Sequence, residues 1–233
     1  MRNLRMRLIS CWKKVYFCIR WATLSHASLG KYLFLSHRIP GWTRFQEAEA
    51  LADLSYSLPD DAVIVEVGSF LGAGTILLAG ARESRASGRV HCVDPFDCSG
   101  DAYSAPIYRQ IAARFRNPSL RECFESNIKR ANLASRVEVH QGTAVAVARA
   151  WSTPIDMLVL DGDHSRGGAR LAFNSWTPHL KLGGIVAIHN SNDRPYAFDH
   201  DGSRQIVLEE VVAPRYTEMQ VVGTTTIARK AAQ

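Results

Sequence analysis

"VEVGSFLGAGT", residues 65–75, ends a β-branched run in a glycine loop and passes straight into helical spacing. Residues 62–70 (AVIVEVGSF) have strand length and composition, and residues 71–84 (LGAGTILLAGARES) return to helical periodicity. A strand that turns through glycine into a helix is the opening half of a βαβ unit. The glycines fall at 68, 72 and 74, the pattern G-x-x-x-G-x-G. Dinucleotide folds use G-x-G-x-x-G, with a pyrophosphate on the helix N-terminus. Here the spacing differs, and Glu66 precedes the first glycine. A carboxylate beside the loop suits a ligand bearing an ammonium group or hydroxyls. A charge between Val65 and Val67 also requires a partner.

The alternation continues outward from this unit. Upstream, residues 45–58 (FQEAEALADLSYSL) predict a helix closed by Pro59. Downstream, residues 88–96 (GRVHCVDPF) predict a second strand with Asp94 at its C-terminal end. Residues 97–120 are irregular, with Pro106 and Pro118, and predict an inserted loop containing a helix. Ser119 and Glu122 form a capping-box pattern for a helix over 119–133. Strands follow at 136–144, 155–164 and 183–191, separated by helices at 145–151 and 166–180. A helix over 202–212 and a hairpin turning at Gly223 close the chain. This order predicts a Rossmann-like doubly wound α/β fold, a mostly parallel seven-stranded sheet with helices on both faces. The division expected is a helical N-terminal extension over 1–44 and a domain over 45–233.

In such sheets ligands bind beyond the C-terminal strand ends. Glu66, Asp94, Thr143, Asp161 and Asn190 all fall at those ends. "VEVGSFLGAGT", "VHCVDPF", "MLVLDGDHSRGG" and "LKLGGIVAIHNS", in this order, make the chain resemble the class I S-adenosylmethionine-dependent methyltransferases. The likeness is closest to the small-molecule and sugar O-methyltransferase branch, as in macrolide and aminocoumarin tailoring. The resemblance implies S-adenosylmethionine as cofactor. Glu66, Gly68, Ser69 and Gly72 would then hold its methionine part, Asp94 its ribose, and Gly142 and Thr143 its adenine border, with Asp161 alongside. It also implies methyl transfer to a hydroxyl of a sugar, glycan, glycolipid or other small-molecule acceptor.

Oxygen methylation needs an in-line approach and an acceptor stripped of its proton. In related metal-dependent enzymes a divalent ion, Mg²⁺ or Mn²⁺, assists. The corresponding ligands here are Asp161, His189 and Asn190, and His189 departs from the acidic residue expected. Imidazole shifts such a site away from Mg²⁺. His164 and Asp163 compete as the proton acceptor, His164 having the better matched imidazole. His200, Asp199, Asp201, Asp193 and Arg194 belong to an expected acceptor loop. His26, His37, His91, His140 and His179 show no ligand spacing and are read as structural or surface residues.

The net charge of +6 is concentrated at one end. Arg2, Arg5, Arg7, Lys13, Lys14, Arg20, Lys31, Arg38 and Arg44 lie within residues 1–46, which contain no acidic residue. The rest carries 19 basic and 22 acidic residues. The body is therefore not a nucleic-acid binder. Residues 1–24 contain no apolar run long enough to span a bilayer. Their basic, aromatic-bearing pattern suits a helix that lies on an anionic membrane, packs on the domain, or completes a homo-oligomer. The five cysteines show no CxxC and fit reduced thiols in a cytoplasmic protein.

Two other readings share the motifs. Cephalosporin hydroxylase-like proteins carry similar ones, and Asp161, His164 and His189 form an imaginable iron set. The third is a non-catalytic cofactor-binding scaffold recruiting partners through its basic N-terminus.

Overall fold

The computed structural model describes Ile19 and residues 27–115 and 119–232. Apart from Ile19, the basic helix expected over 1–24 lies outside the described residues. No helix among them is long and apolar enough to cross a membrane.

The elements run α1 (Ala27–His37), α2 (Gln46–Ser57), β1 (Val63–Val67), α3 (Ala73–Ser84), β2 (Arg89–Asp94), α4 (Ser104–Ala112) and α5 (Leu120–Arg130). They continue with β3 (Val137–Gln141), α6 (Ala144–Arg149), β4 (Ile155–Leu160), α7 (Arg166–Trp176), β5 (Leu180–Ile188), α8 (Gly202–Glu209), β6 (Tyr216–Val222) and β7 (Thr225–Lys230). The seven strands form one sheet in the order β3-β2-β1-β4-β5-β7-β6. β1 to β5 pair in parallel, and β7 runs antiparallel to both neighbours.

Side-chain alternation explains the apolar strand runs. Ile64, Met157, Val159, Ile185 and Ala187 enter one core, shared with residues of α2, α3 and α5. Val65, Val67, Leu158, Leu160, Val186 and Ile188 enter the opposite core, under α7 and α8. Strands covered on both faces have no solvent side to mark with polar residues.

Local chemistry fixes several boundaries. Ser119 and Glu122 complete the expected capping box on α5. α2 stops at Ser57, before the residue that Pro59 forces into extended backbone. The described part of the N-terminal region is packed into the domain. Leu29 and Leu33 are buried, and the Tyr32 ring occupies the space a Cβ at Gly80 of α3 would take, 2.2 Å away. Arg44, one of the basic residues counted in 1–46, donates to the carbonyls of His37, Gly41 and Ile39. The Arg82 guanidinium, fully buried, likewise gathers the carbonyls of Ser55, Leu58, Pro59 and Ser87. Nothing in the spacing of α3 announces that role.

The strand order reverses between β1 and β4. β2 and β3 extend one way, β4 and β5 the other. That switch point opens a crevice beyond the strand ends.

Candidate active site

The loop after β1 is held by two carboxylates. Asp94, at the end of β2, accepts the backbone N–H groups of Ser69 (2.9 Å) and Phe70 (2.8 Å) on Oδ2, and of Phe96 (2.7 Å) on Oδ1. A carboxylate offers about four acceptor positions, so about one remains for a ligand. Burial pushes the Asp94 carboxyl above its ordinary range, against the pull of those three donors.

Glu66 is the second brace. It is 3% exposed and accepts the Ser69 hydroxyl at 2.7 Å and the Thr75 hydroxyl at 2.5 Å. Its other oxygen lies 2.3 Å from where a Cβ would stand on Gly74. The spacing from Gly72 to Gly74 is thus explained. Gly72 takes a left-handed φ of 89° before α3, and Gly74 leaves room for a carboxylate. Burial pushes the Glu66 carboxyl up from 4.5 to about 7, the two hydroxyl donors opposing it. A raised carboxyl stabilises the fold below 4.5 and loses that contribution as pH rises through about 7. Glu66→Gln is therefore expected to flatten the fall in stability over this window, by on the order of 3 kcal/mol. Urea unfolding at pH 5 and pH 8 measures it. Equal pH dependence in both proteins would refute the assignment.

Gly68 makes the closest approach. Its φ is 93°, and a Cβ there would lie 2.3 Å from the carbonyl oxygen of Asp161. The ends of β1 and β4 are tied by the Asp161 N–H donating to the Val67 carbonyl at 2.8 Å. Over this seam lies a cavity of about 230 Å³. Gly68, Phe70, Asp94, Thr143, Asp161 and Asp163 are among the residues lining it. Glu66, Ser69, Gly72 and Gly142 stand behind this lining and shape it. The Gly142 N–H donates to the Asp94 carbonyl, and Thr143 caps α6 through its hydroxyl.

A second cavity, of about 400 Å³, adjoins the first. Asp161 and Tyr108 line both. His164, His189, Asn190 and His200 line the second, with the rings of Trp42, Tyr103, Tyr108 and Tyr196. His164 is 3% exposed. Its Nδ1 meets the Ser203 hydroxyl at 3.0 Å, and its Nε2 faces Asp161 Oδ1 at 3.5 Å. His189 turns Nε2 toward the same Asp161 oxygen at 3.9 Å and Nδ1 toward Thr225 at 3.2 Å. Asn190, left-handed at φ 53°, brings its amide nitrogen to 3.5 Å from His200 Nε2.

Asp163 does not join this group. It is exposed, and its Oδ1 accepts the Ser165 N–H at 2.8 Å in the turn before α7. Its carboxyl lies 2.2 Å from where a Cβ would stand on Gly168. One residue further, the chain has turned, so Asp163 faces the first cavity and His164 the second. The cap of α7 is Ser165, not His164.

The sequence passed over Asp101, Tyr108 and Trp42. Asp101, almost wholly buried, pairs with His200 Nδ1 at 2.9 Å. Burial pushes its carboxyl up, but the His200 and Ser104 donors outweigh this and hold it well below the carboxylate range. Its signal was a lone acid in an irregular loop, with no period to place it. The converging pairs of Asp161, His164 and His189 do not close into a metal-sized trio, their ligand atoms not all lying within 4.8 Å. Among the described residues lining this second cavity, Asp161 is the one carboxylate. Imidazoles and an amide around one carboxylate do not fit the oxygen shell that Mg²⁺ demands.

The two adjoining cavities lie beyond the strand ends at the switch point, where doubly wound α/β folds bind their ligands. Residues 65–191, more than half of the chain, match the model of a methyltransferase domain, and the chain belongs to that family. It is an S-adenosylmethionine-dependent methyltransferase. Solved structures share the fold. The O-methyltransferase TomG from Streptomyces achromogenes, involved in tomaymycin synthesis and bound to S-adenosylmethionine, is 21% identical, with a TM-score of 0.57 over 88% of this chain and 90% of that one. The S-adenosylhomocysteine-bound methyltransferase PaMTH1 from Podospora anserina is 13% identical, with a TM-score of 0.62 over 100% and 97%. The O-methyltransferase NovP is 15% identical, with a TM-score of 0.56 over 81% of each chain.

Proposed function

We propose that the chain methylates a hydroxyl of a sugar or related ring, in a free, glycan, glycolipid or natural-product acceptor. The observation that supports this reading is the shared wall of the two cavities, which Asp161 and Tyr108 both line. When bound, the cofactor would supply a sulfonium-bound methyl group that passes to the acceptor oxygen, with the thioether S-adenosylhomocysteine as leaving group.

The remaining acceptor position of Asp94 takes a ribose hydroxyl, and Thr143 borders the adenine. Glu66 and Ser69 keep the loop shaped for the methionine part. In the second cavity, four aromatic rings offer flat faces to a ring-shaped acceptor. His164 Nε2 accepts the acceptor's hydroxyl proton. Asp161, 3.5 Å away, stabilises the imidazolium that results, and Ser203 fixes the ring through Nδ1. TomG and NovP, named as O-methyltransferases, support oxygen as the methylated atom.

A second reading gives the proton to His200, because Asp101 backs its Nδ1 as an orienting carboxylate does. His164 stands nearer the junction with the cofactor cavity, which favours it. Residues 1–40, rich in Lys and Arg and free of acids, suit contact with an anionic membrane carrying a lipid-linked acceptor, and self-association of the chain.

The test is incubation with labelled S-adenosylmethionine and a panel of glycans, with and without added Mg²⁺. Label is expected on a hydroxyl, with the rate changed less than about twofold by Mg²⁺, as the donor set implies. Absence of S-adenosylhomocysteine binding by calorimetry ends the proposal. Strict dependence on Mg²⁺ ends its metal-free chemistry.

A further inference from the structure

On strands β2 and β3, on the face covered by the second core, Glu138 meets two histidines that were read above as structural or surface residues, His91 and His140. His91 of β2 is the register partner of Glu138 of β3, and His140 lies two residues further along β3. The period of two in a strand puts Glu138 and His140 on one face. Parallel register puts His91 beside them. Their separation of 49 residues hides this in the sequence.

We propose that His91, Glu138 and His140 form a binding site for a zinc-class transition-metal ion that clamps edge strand β3 to β2. Among the described residues they are the one trio of His, Cys, Asp or Glu whose ligand atoms all lie within 4.8 Å of one another. His91 Nδ1 is 3.1 Å from His140 Nε2 and 3.7 Å from Glu138 Oε2, and His140 Nε2 is 3.6 Å from Glu138 Oε1. Tetrahedral bonds of about 2.0–2.1 Å set ligands about 3.3 Å apart, close to the 3.1 Å His–His edge, and each imidazole nitrogen has a Glu138 oxygen at 3.6 or 3.7 Å. Two imidazoles and a carboxylate select Zn²⁺ or Co²⁺ over Mg²⁺ and Ca²⁺.

The surroundings suit an ion. The His91, His140 and Glu138 side chains are 16%, 26% and 46% exposed, so solvent reaches the site and water can complete the shell. Trp151 sets its edge against both imidazoles, at 4.9 and 5.5 Å between ring centroids, and limits their rotation. Arg89, 3.9 Å from Glu138, is the opposing charge. Without an ion the contact reduces to one His–His hydrogen bond, in which one ring must donate. With an ion both rings present lone pairs. The strand being clamped leads into Gly142 and Thr143, and Thr143 lines the first cavity, where the proposed function puts the cofactor.

The experiment uses the full, untagged chain after chelation and dialysis. Zn²⁺ is titrated by calorimetry and Co²⁺ by its visible absorption, in the wild type, His91→Gln, Glu138→Gln, His140→Gln and His164→Gln. S-adenosylhomocysteine binding serves as the folding control. Wild type and His164→Gln are expected to take up one equivalent with a tetrahedral Co²⁺ band. Each of the other three is expected to bind about 100-fold more weakly, and to lose the rise in melting temperature that Zn²⁺ gives. Equal uptake in wild type and His140→Gln overturns the proposal, as does loss confined to His164→Gln. A Glu138→Gln variant that keeps cofactor binding and still binds Zn²⁺ at full strength overturns it too.

Discussion

His164→Ala is expected to slow methyl transfer by about 10²- to 10⁴-fold, the usual worth of a positioned proton acceptor. S-adenosylhomocysteine affinity should stay within about threefold, because His164 lines the second cavity and not the first, where the proposal puts the cofactor. The loss should fall on kcat more than on KM, since proton transfer occurs in the transition state. Raising the pH should recover part of the rate. His200→Ala run in parallel separates the two histidines. If His200→Ala loses the larger factor and His164→Ala loses less than about fivefold, the Asp101–His200 pair is the base.

Gly68→Ala is expected to break the seam on which both cavities rest. Alanine at a φ of 93° is strained, and its Cβ would sit 2.3 Å from the Asp161 carbonyl oxygen and 2.5 Å from its carbon. Those atoms are backbone, held by the hydrogen bond from Asp161 N–H to Val67, and have no rotamer to escape into. The ends of β1 and β4 must part. A loss of about 3–5 kcal/mol in stability follows, with loss of cofactor binding. Urea unfolding and calorimetry with S-adenosylhomocysteine measure the two effects. A variant within 1 kcal/mol of wild type that still binds would show that the loop is not seated as described.

The legible parts of the molecule are those where period or spacing carries a physical requirement. The strands through Glu66, Asp94 and Asp161 announced themselves by β-branched runs ending in polar residues, and the crevice formed where those ends converge. Ser119 and Glu122 were readable because a cap is a local bargain between neighbours three residues apart. What escaped notice depends on contacts between distant segments. Asp101 acquires meaning only when its loop folds back 99 residues short of its partner, His200. His91 and His140 become neighbours through strand register. Arg82 stands in the last turn of α3 with no sequence mark, yet it is buried among the carbonyls of Ser55, Leu58, Pro59 and Ser87. Asp163 and His164 were inseparable in sequence, and one turn of backbone sent them to different cavities.

The wall between the two compartments also has a thermodynamic consequence. Asp161 and Tyr108 touch whatever lies on either side of them, so the free energy of filling one side depends on the state of the other. Such coupling is reciprocal: any factor by which the cofactor raises affinity for the acceptor is the factor by which the acceptor raises affinity for the cofactor. Product release is tied in the same way. In the proposed reaction a spent cofactor would present a different surface to that wall, and any change in the grip on the methylated product would be the other half of the same equilibrium.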